Sequence, residues 1–234
     1  MKRFAALCTL VMCVLLLTTG CAKKITKGDA YPDMYAETPT AILVLPPINE
    51  STAADAKEYY STTIAEPLSI AGYYVYPLEV VTDILRNEGL GDTEMLFTVP
   101  PQKFRDYFGA DAVLYIKILK WDTVYYVIGG YVTVSVEFLL KSTKTGKCLW
   151  KYDGTMQLDT TGDSQNTPGL AGVLLQVVTT AVKTAVTDYV PVARQANQLT
   201  LISIPYGRYH PQHGQDGNAK IVIEKKVKEK PKEN

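Results

Sequence analysis

The chain has 234 residues, 24 basic and 24 acidic side chains, and 47% hydrophobic residues. Balanced charge excludes the basic excess with which proteins hold nucleic acid. Loss of residues 1–20 would remove Lys2 and Arg3 and no acid, leaving 22 basic against 24 acidic groups and enough chain for one sizeable domain with tails.

The first 21 residues have the parts of an export signal. Lys2 and Arg3 start it, an apolar run extends from Phe4 to Leu17, and the small residues Thr18, Thr19 and Gly20 precede Cys21. The run is shorter than the roughly 20 apolar residues a membrane-spanning helix needs, and Lys23 and Lys24 follow it. Thr18-Thr19-Gly20-Cys21 resembles the lipobox recognised by bacterial lipoprotein signal peptidase, with Thr18 where that box usually carries Leu. The resemblance implies cleavage before Cys21 and lipid attachment on it. Ala22, where an Asp would mark inner-membrane retention, points by the sorting rule of enteric bacteria to the outer membrane.

Residues 21–39 are polar and contain Gly28, Pro32 and Pro39, and read as a flexible spacer. An α/β domain is expected over 40–202. Ala41 to Leu45 is apolar at every position, as a strand covered on both faces would be. Ser51 is a plausible N-cap for a helix carrying Ala53, Ala56, Tyr60, Ile64 and Leu68, with Pro67 kinking or ending it. A short strand at Tyr73–Tyr76 and a helix near Leu78–Asn87 follow, and Pro100-Pro101 opens another helix that Gly109 ends. Ala112–Trp121 is apolar in both registers and so reads as a second central strand.

From Tyr131 to Lys141 strict alternation predicts a half-buried strand, with Val132, Val134, Val136, Phe138 and Leu140 on one face. Thr143 to Gly146 turns the chain into a return strand with Cys148, Trp150, Tyr152, Met156 and Leu158 in one register. Cys148, the one cysteine left after Cys8, Cys13 and Cys21 are assigned, is thereby read as an inert core residue. A long amphipathic helix is expected near 170–190, whose recurring polar stripe argues against a membrane span. Residues 203–234 read as a polar, partly disordered tail.

No nucleophile elbow, phosphate loop, dinucleotide-binding glycine set or Cys-x-x-Cys occurs, so no catalytic residue and no cofactor is assigned. His210, His213 and Asp216 are the nearest approach to a metal or acid/base cluster. Pro211 and Gly214 argue against the helix that would align them, and a solvated tail is the preferred reading. Tyrosine is the unusual abundance, 16 residues against five Phe. Two readings stay open for it: amphipathic anchors at a protein interface, or rings shared between core and surface. Tyr125, Tyr126 and Tyr131, at a Gly129-Gly130 bend, are the candidate contact residues.

Ala41-Ile-Leu-Val-Leu-Pro-Pro-Ile-Asn49, Tyr73-Tyr-Val-Tyr-Pro77 and Phe108-Gly-Ala-Asp-Ala-Val-Leu-Tyr-Ile116 resemble the α/β domain shared by the TolB N-terminal region and curli-secretion-channel lipoproteins. Nearly the whole mature chain, including Pro205-Tyr-Gly-Arg-Tyr-His-Pro211, is similar to the bacterial lipoprotein family called domain of unknown function 799, of neisserial-antigen type. Arg208 stands where that family is expected to have Pro. The resemblance implies a location and a fold: a mixed β-sheet flanked by helices, with an antiparallel hairpin and a long C-terminal amphipathic helix. Together with the Cys21 tether, Ala22 and the absence of catalytic groups, it leads to the expectation of a non-enzymatic, lipid-anchored protein on the periplasmic face of the outer membrane, acting in envelope assembly or curli-type secretion with an envelope protein partner such as a curli-secretion-like lipoprotein. Self-assembly into a dimer or ring, or regulation of an envelope enzyme, are the alternative expectations.

Overall fold

The computed structural model describes residues 24–125, 130–159 and 189–222. In chain order, β1 (Lys24–Thr26) leads into α1 (Lys27–Ala30), α2 (Pro32–Glu37), β2 (Ala41–Val44) and β3 (Ile48–Asn49). Then come α3 (Ala56–Thr63), α4 (Ala65–Ile70), β4 (Tyr74–Val75), α5 (Leu78–Asn87), α6 (Thr93–Leu96) and α7 (Pro101–Phe108). Three long strands, β5 (Ala112–Tyr125), β6 (Gly130–Ser142) and β7 (Cys148–Asp159), precede α8 (Val190–Leu201), and β8 (Lys220–Val222) comes last.

The main sheet runs β4-β2-β5-β6-β7, with β3 beside β5. β2 is parallel to β4 and β5, whereas β5, β6 and β7 form an antiparallel ribbon. The side chain of Asp111 aligns the parallel part: its Oδ2 accepts from the N–H groups of Thr40 and Ala41, each at 3.0 Å. Because successive side chains of a strand point to opposite faces, β2 sends Ile42 and Val44 into one core and Leu43 into another, which Leu45 just beyond the strand also joins. The larger core joins Leu114, Ile116 and Ile118 of β5 and the alternating residues of β6 to Tyr60, Leu68, Val192 and Ala196 of α3, α4 and α8. The smaller packs Val113 and Tyr115 against Val81, Leu85, Leu96 and Phe104 of α5, α6 and α7. The mixed sheet flanked by helices expected from the sequence is thus the fold observed.

Several local signals act as expected. Pro101 occupies the first turn of α7, and Gly109 ends it in the left-handed conformation, its N–H donating to the carbonyl of Arg105 at 2.8 Å. Pro67 lacks the N–H that would bond back to Thr63, and the helix divides there into α3 and α4. Ser51 is not an N-cap: Asn49 Oδ1 accepts its N–H and its hydroxyl, making a tight turn that delays the helix to Ala56.

Three sequence expectations are corrected. The spacer reading of 21–39 fails from Lys24 onward. Thr26 Oγ1 caps α1 by accepting from the Asp29 N–H, Pro32 starts α2, and Tyr31 and Met34 are buried in the larger core. Gly28 and Pro32 punctuate two short helices rather than free chain. The tail reading of 203–234 fails over 203–222, where Ile204 and Asp216 are buried; residues 223–234 lie outside the described residues. Cys148 is exposed because the ladder shifts at Leu140/Lys141: Leu140 pairs with Trp150 and Lys141 with Cys148, so Leu149 is an inserted residue. Leu149 and Trp150 are both buried, and alternation beyond the bulge no longer places Cys148 inside. Partial desolvation of the sulfur raises its pKa against the pull of Lys151 and Lys141, which disfavours the thiolate.

The helix expected at 170–190 falls mostly outside the described residues. α8 begins where that helix was expected to end, with Pro191 in its first turn and Val192, Ala193, Ala196 and Thr200 forming the buried face. Among the described residues no helix is long and apolar enough to cross a membrane.

Candidate functional site

Two parts of the chain nearly its full length apart meet in one buried polar knot. Lys27, on the first turn of α1, donates from Nζ to Asp216 Oδ2 at 3.2 Å and to the carbonyl of Ile204 at 2.9 Å. Both side chains of the pair are only 6% exposed. Asp216 Oδ1 accepts from the Tyr35 hydroxyl at 2.9 Å, and its Oδ2 also accepts the Tyr206 N–H at 3.0 Å. The Lys27 ammonium lies 4.9 Å from the centre of the Tyr206 ring. A buried charge is tolerated only when paired and hydrogen-bonded, and each member here has several partners.

The knot fixes the segment between Leu201 and β8 to the body. The Tyr73 hydroxyl donates to the Pro205 carbonyl, the Gly207 N–H to Ala71 and the Tyr209 N–H to Gly72. β8 then pairs antiparallel with β1. A cleft of about 60 Å³ lies between α2 and this segment, lined by Tyr35, Tyr73, Tyr206 and His213 among others. That is room for a water or two and far below the roughly 300 Å³ of small-molecule sites. A more open groove of about 380 Å³ is lined by Asn49, Lys57, Asp92, Thr93 and Glu94, with Lys57 Nζ donating to Thr93 Oγ1 at 2.8 Å.

His210, His213 and Asp216 do not converge as ligands. The His210 ring stacks on Tyr206 at 3.6 Å and its Nδ1 accepts the Gln212 N–H. His213 Nδ1 lies 2.8 Å from the Tyr206 carbonyl, and Asp216 faces Lys27. Among the described residues no three His, Cys, Asp or Glu side chains are grouped to hold a metal. Asp216 is therefore a buried structural anion and not part of a solvated tail.

The candidate contact tyrosines lie at the far end of the β5–β6 ribbon. Tyr125 pairs through its backbone with Gly130, Tyr131 stands opposite Val124 and Asp159, and its side chain is half-buried. Tyr126 lies outside the described residues, as do Thr18, Thr19, Gly20 and Cys21. Behind the ribbon end an aromatic group not anticipated from sequence joins Tyr59, Tyr60, Trp121 and Tyr189, with ring centres 5.8–6.3 Å apart. Sequence reasoning also missed the Lys27–Asp216 pair, because nothing local marks two residues 189 positions apart as partners.

Buried phenols carry a pH dependence. Burial raises Tyr60 well above its ordinary value of 10.0, and burial reinforced by the Asp216 charge raises Tyr35 and Tyr73. A raised folded pKa means that this contribution is intact below the unfolded value of 10.0 and is lost as pH climbs beyond it, since the unfolded chain ionises first. Thermal stability should therefore fall steeply above about pH 10, the deeply buried Tyr60 and Tyr73 each adding up to about 1.4 kcal/mol per pH unit and the more open Tyr35 less. Tyr73→Phe should flatten that fall in a melting series; an unchanged slope would remove Tyr73 from the account.

A mixed sheet with helices on both faces places the chain in the class of α/β domains. Within that class the chain belongs to the GNA1162-like family, described as putative lipoproteins, whose sequence model matches residues 29–207. It is 31% identical over 177 residues to lipoprotein NMB1124/NMB1162 of Neisseria meningitidis serogroup B, itself named as putative, covering 76% of this chain and 81% of that protein. The crystal structure of lipoprotein GNA1162 from Neisseria meningitidis is 34% identical with a TM-score of 0.48, over 56% of this chain and 88% of that one. The PelC dodecamer from Paraburkholderia phytofirmans gives 16% identity and a TM-score of 0.43, over 82% and 95% of the two chains.

Proposed function

We propose that this chain is a non-enzymatic protein anchored by lipid on Cys21 to the periplasmic face of the bacterial outer membrane, acting by protein–protein interaction in envelope assembly or curli-type secretion. Membership in a lipoprotein family is the observation that carries this reading. The Thr18-Thr19-Gly20-Cys21 sequence supplies the attachment point, and Ala22 the outer-membrane assignment. The end of the β5–β6 ribbon, where the Tyr131 side chain is half-buried, is the proposed contact surface for the partner, with Tyr125 and Tyr126 as the further candidates from the sequence.

Labelling cells with palmitate tests the anchor. The wild-type chain should take up label and Cys21→Ser should take up none; label retained in the variant would rule out lipid on Cys21. A photo-crosslinking residue placed at Tyr131 should capture one discrete envelope protein in the same cells. Turnover of a substrate by the purified chain, with no crosslink formed, would reject the interaction role.

A further inference from the structure

The chain visits β2 first, then β4 on one side of it, and then crosses back to β5 on the other side. The helices of the first crossing, α3 and α4, pack on the larger core, and those of the second, α5 to α7, pack on the smaller one, so the two sets lie on opposite faces of the sheet. The groove of about 380 Å³ lies beyond the carboxyl end of β2, where Ile48 and Asn49 meet Lys57 of α3 and Asp92, Thr93 and Glu94 at the start of α6. Open α/β sheets bind ligands outside the carboxyl ends of their strands, where the strand order doubles back. The volume falls in the range of small-molecule sites.

Both signs of charge line this groove without meeting. Lys57, half-buried on the first turn of α3, donates to the Thr93 hydroxyl at 2.8 Å, its one hydrogen-bond partner among the described residues. An ammonium carries three donors, and the others are open to a ligand. Asp92 turns one oxygen back to accept the Glu94 N–H at 2.9 Å, which leaves its second oxygen open. The Glu94 carboxylate has no hydrogen bond or ion pair among the described residues. Asn49, by contrast, is committed within its own turn, donating to the Ala53 carbonyl and accepting from Ser51. No aromatic ring is among the described residues that line the groove, so a sugar or a base would find nothing to stack on.

We infer that this groove binds a short peptide with both termini free, its carboxylate on the Lys57 ammonium and its ammonium on Glu94 and the open oxygen of Asp92. Charge-assisted hydrogen bonds of both signs select such a zwitterion. A simple anion is repelled by the two carboxylates and a simple cation by Lys57, so each is rejected by a group that the peptide satisfies. Because Lys57 pairs directly with neither carboxylate, the ligand has to bridge them, and the separated end charges of a peptide suit that task. The site adds a small ligand to the protein partner proposed above.

The test follows the backbone amide resonances of the purified full chain during titration with alanyl-alanine. Saturable shifts are expected at Asn49, Gly91 and Thr93, which line the groove. N-acetyl-alanyl-alanine lacks the ammonium and alanyl-alaninamide lacks the carboxylate, and each should bind about tenfold or more weakly than alanyl-alanine. Lys57→Gln, which keeps a donor for Thr93, and Glu94→Gln should each weaken alanyl-alanine binding by a similar factor, with resonances outside the groove reporting that each variant is folded. Absence of saturable shifts, shifts centred elsewhere, full affinity in either variant, or equal binding of a blocked peptide, of alanine or of acetate would each overturn the inference. None of these readouts involves the Cys21 lipid or a crosslink at Tyr131, so failure here leaves the anchored, partner-binding role standing, and failure of that role leaves this result readable.

Discussion

Asp216→Ala is expected to destabilise the folded chain by about 3–5 kcal/mol, measured as a lowered urea midpoint at unchanged slope. The substitution leaves the Lys27 ammonium buried with the Ile204 carbonyl as its remaining oxygen partner, and frees the Tyr35 hydroxyl and the Tyr206 N–H. Removing one member of a buried pair costs far more than removing both, because the survivor must be desolvated without compensation. Lys27→Met combined with Asp216→Leu should therefore recover much of the loss. A single-variant cost below about 1 kcal/mol would mean that the pair is open to solvent in solution. Against a total stability of about 5–15 kcal/mol for a domain, the predicted loss is large. It should appear first as protease cutting within 203–222, the segment that Asp216 ties down.

Gly72→Ala is expected to act on the same attachment from the other side, at about 2–5 kcal/mol. Gly72 sits at φ +89°, a conformation that L side chains rarely adopt, and an added Cβ would lie 2.8 Å from the backbone Cα of His210. The obstacle is main chain, which has no rotamer by which to yield. Gly207 approaches Gly72 equally closely, its own added Cβ falling 2.8 Å from the Gly72 carbonyl carbon. The turn after α4 and the 205–210 segment are thus in backbone-to-backbone contact, sealed by the bonds from Gly207 to Ala71 and from Tyr209 to Gly72. Gly89→Ala makes the control: Gly89 has a similar φ of +78° but open space around its missing Cβ. It should cost only the backbone strain, about 1–2 kcal/mol. Equal losses at the two positions would show that packing against His210 contributes nothing.

These two substitutions also mark where sequence reading stops. Periodicity was sufficient for the central strands and the ribbon, since burial on both faces of β2 and β5 leaves apolar residues in both registers, and burial on one face of β6 leaves strict alternation. Proline and glycine punctuation was sufficient for the start and end of α7 and the break between α3 and α4. Where the backbone departs from regular pairing, periodicity misleads: one inserted residue at Leu149 sends Cys148 outward. Composition misleads more widely, because polar segments with Gly and Pro fold when distant partners satisfy their backbone and their charges. Residues 24–39 and 203–222 are both of this kind.

The sequence by itself determined the α/β class, the two central strands, the antiparallel ribbon and the resemblance to a lipoprotein family, because each is written in spacing, punctuation or contiguous motif. It also carries the expectation that Cys21 follows an export signal. Only the tertiary structure decided that His210, His213 and Asp216 do not converge as ligands, that Asp216 belongs to Lys27, and that Lys24–Thr26 pairs with Lys220–Val222. An ion pair across 189 residues and a β1–β8 register have no local signature: they arise when packing of the intervening sheet and helices brings the two segments within bonding distance.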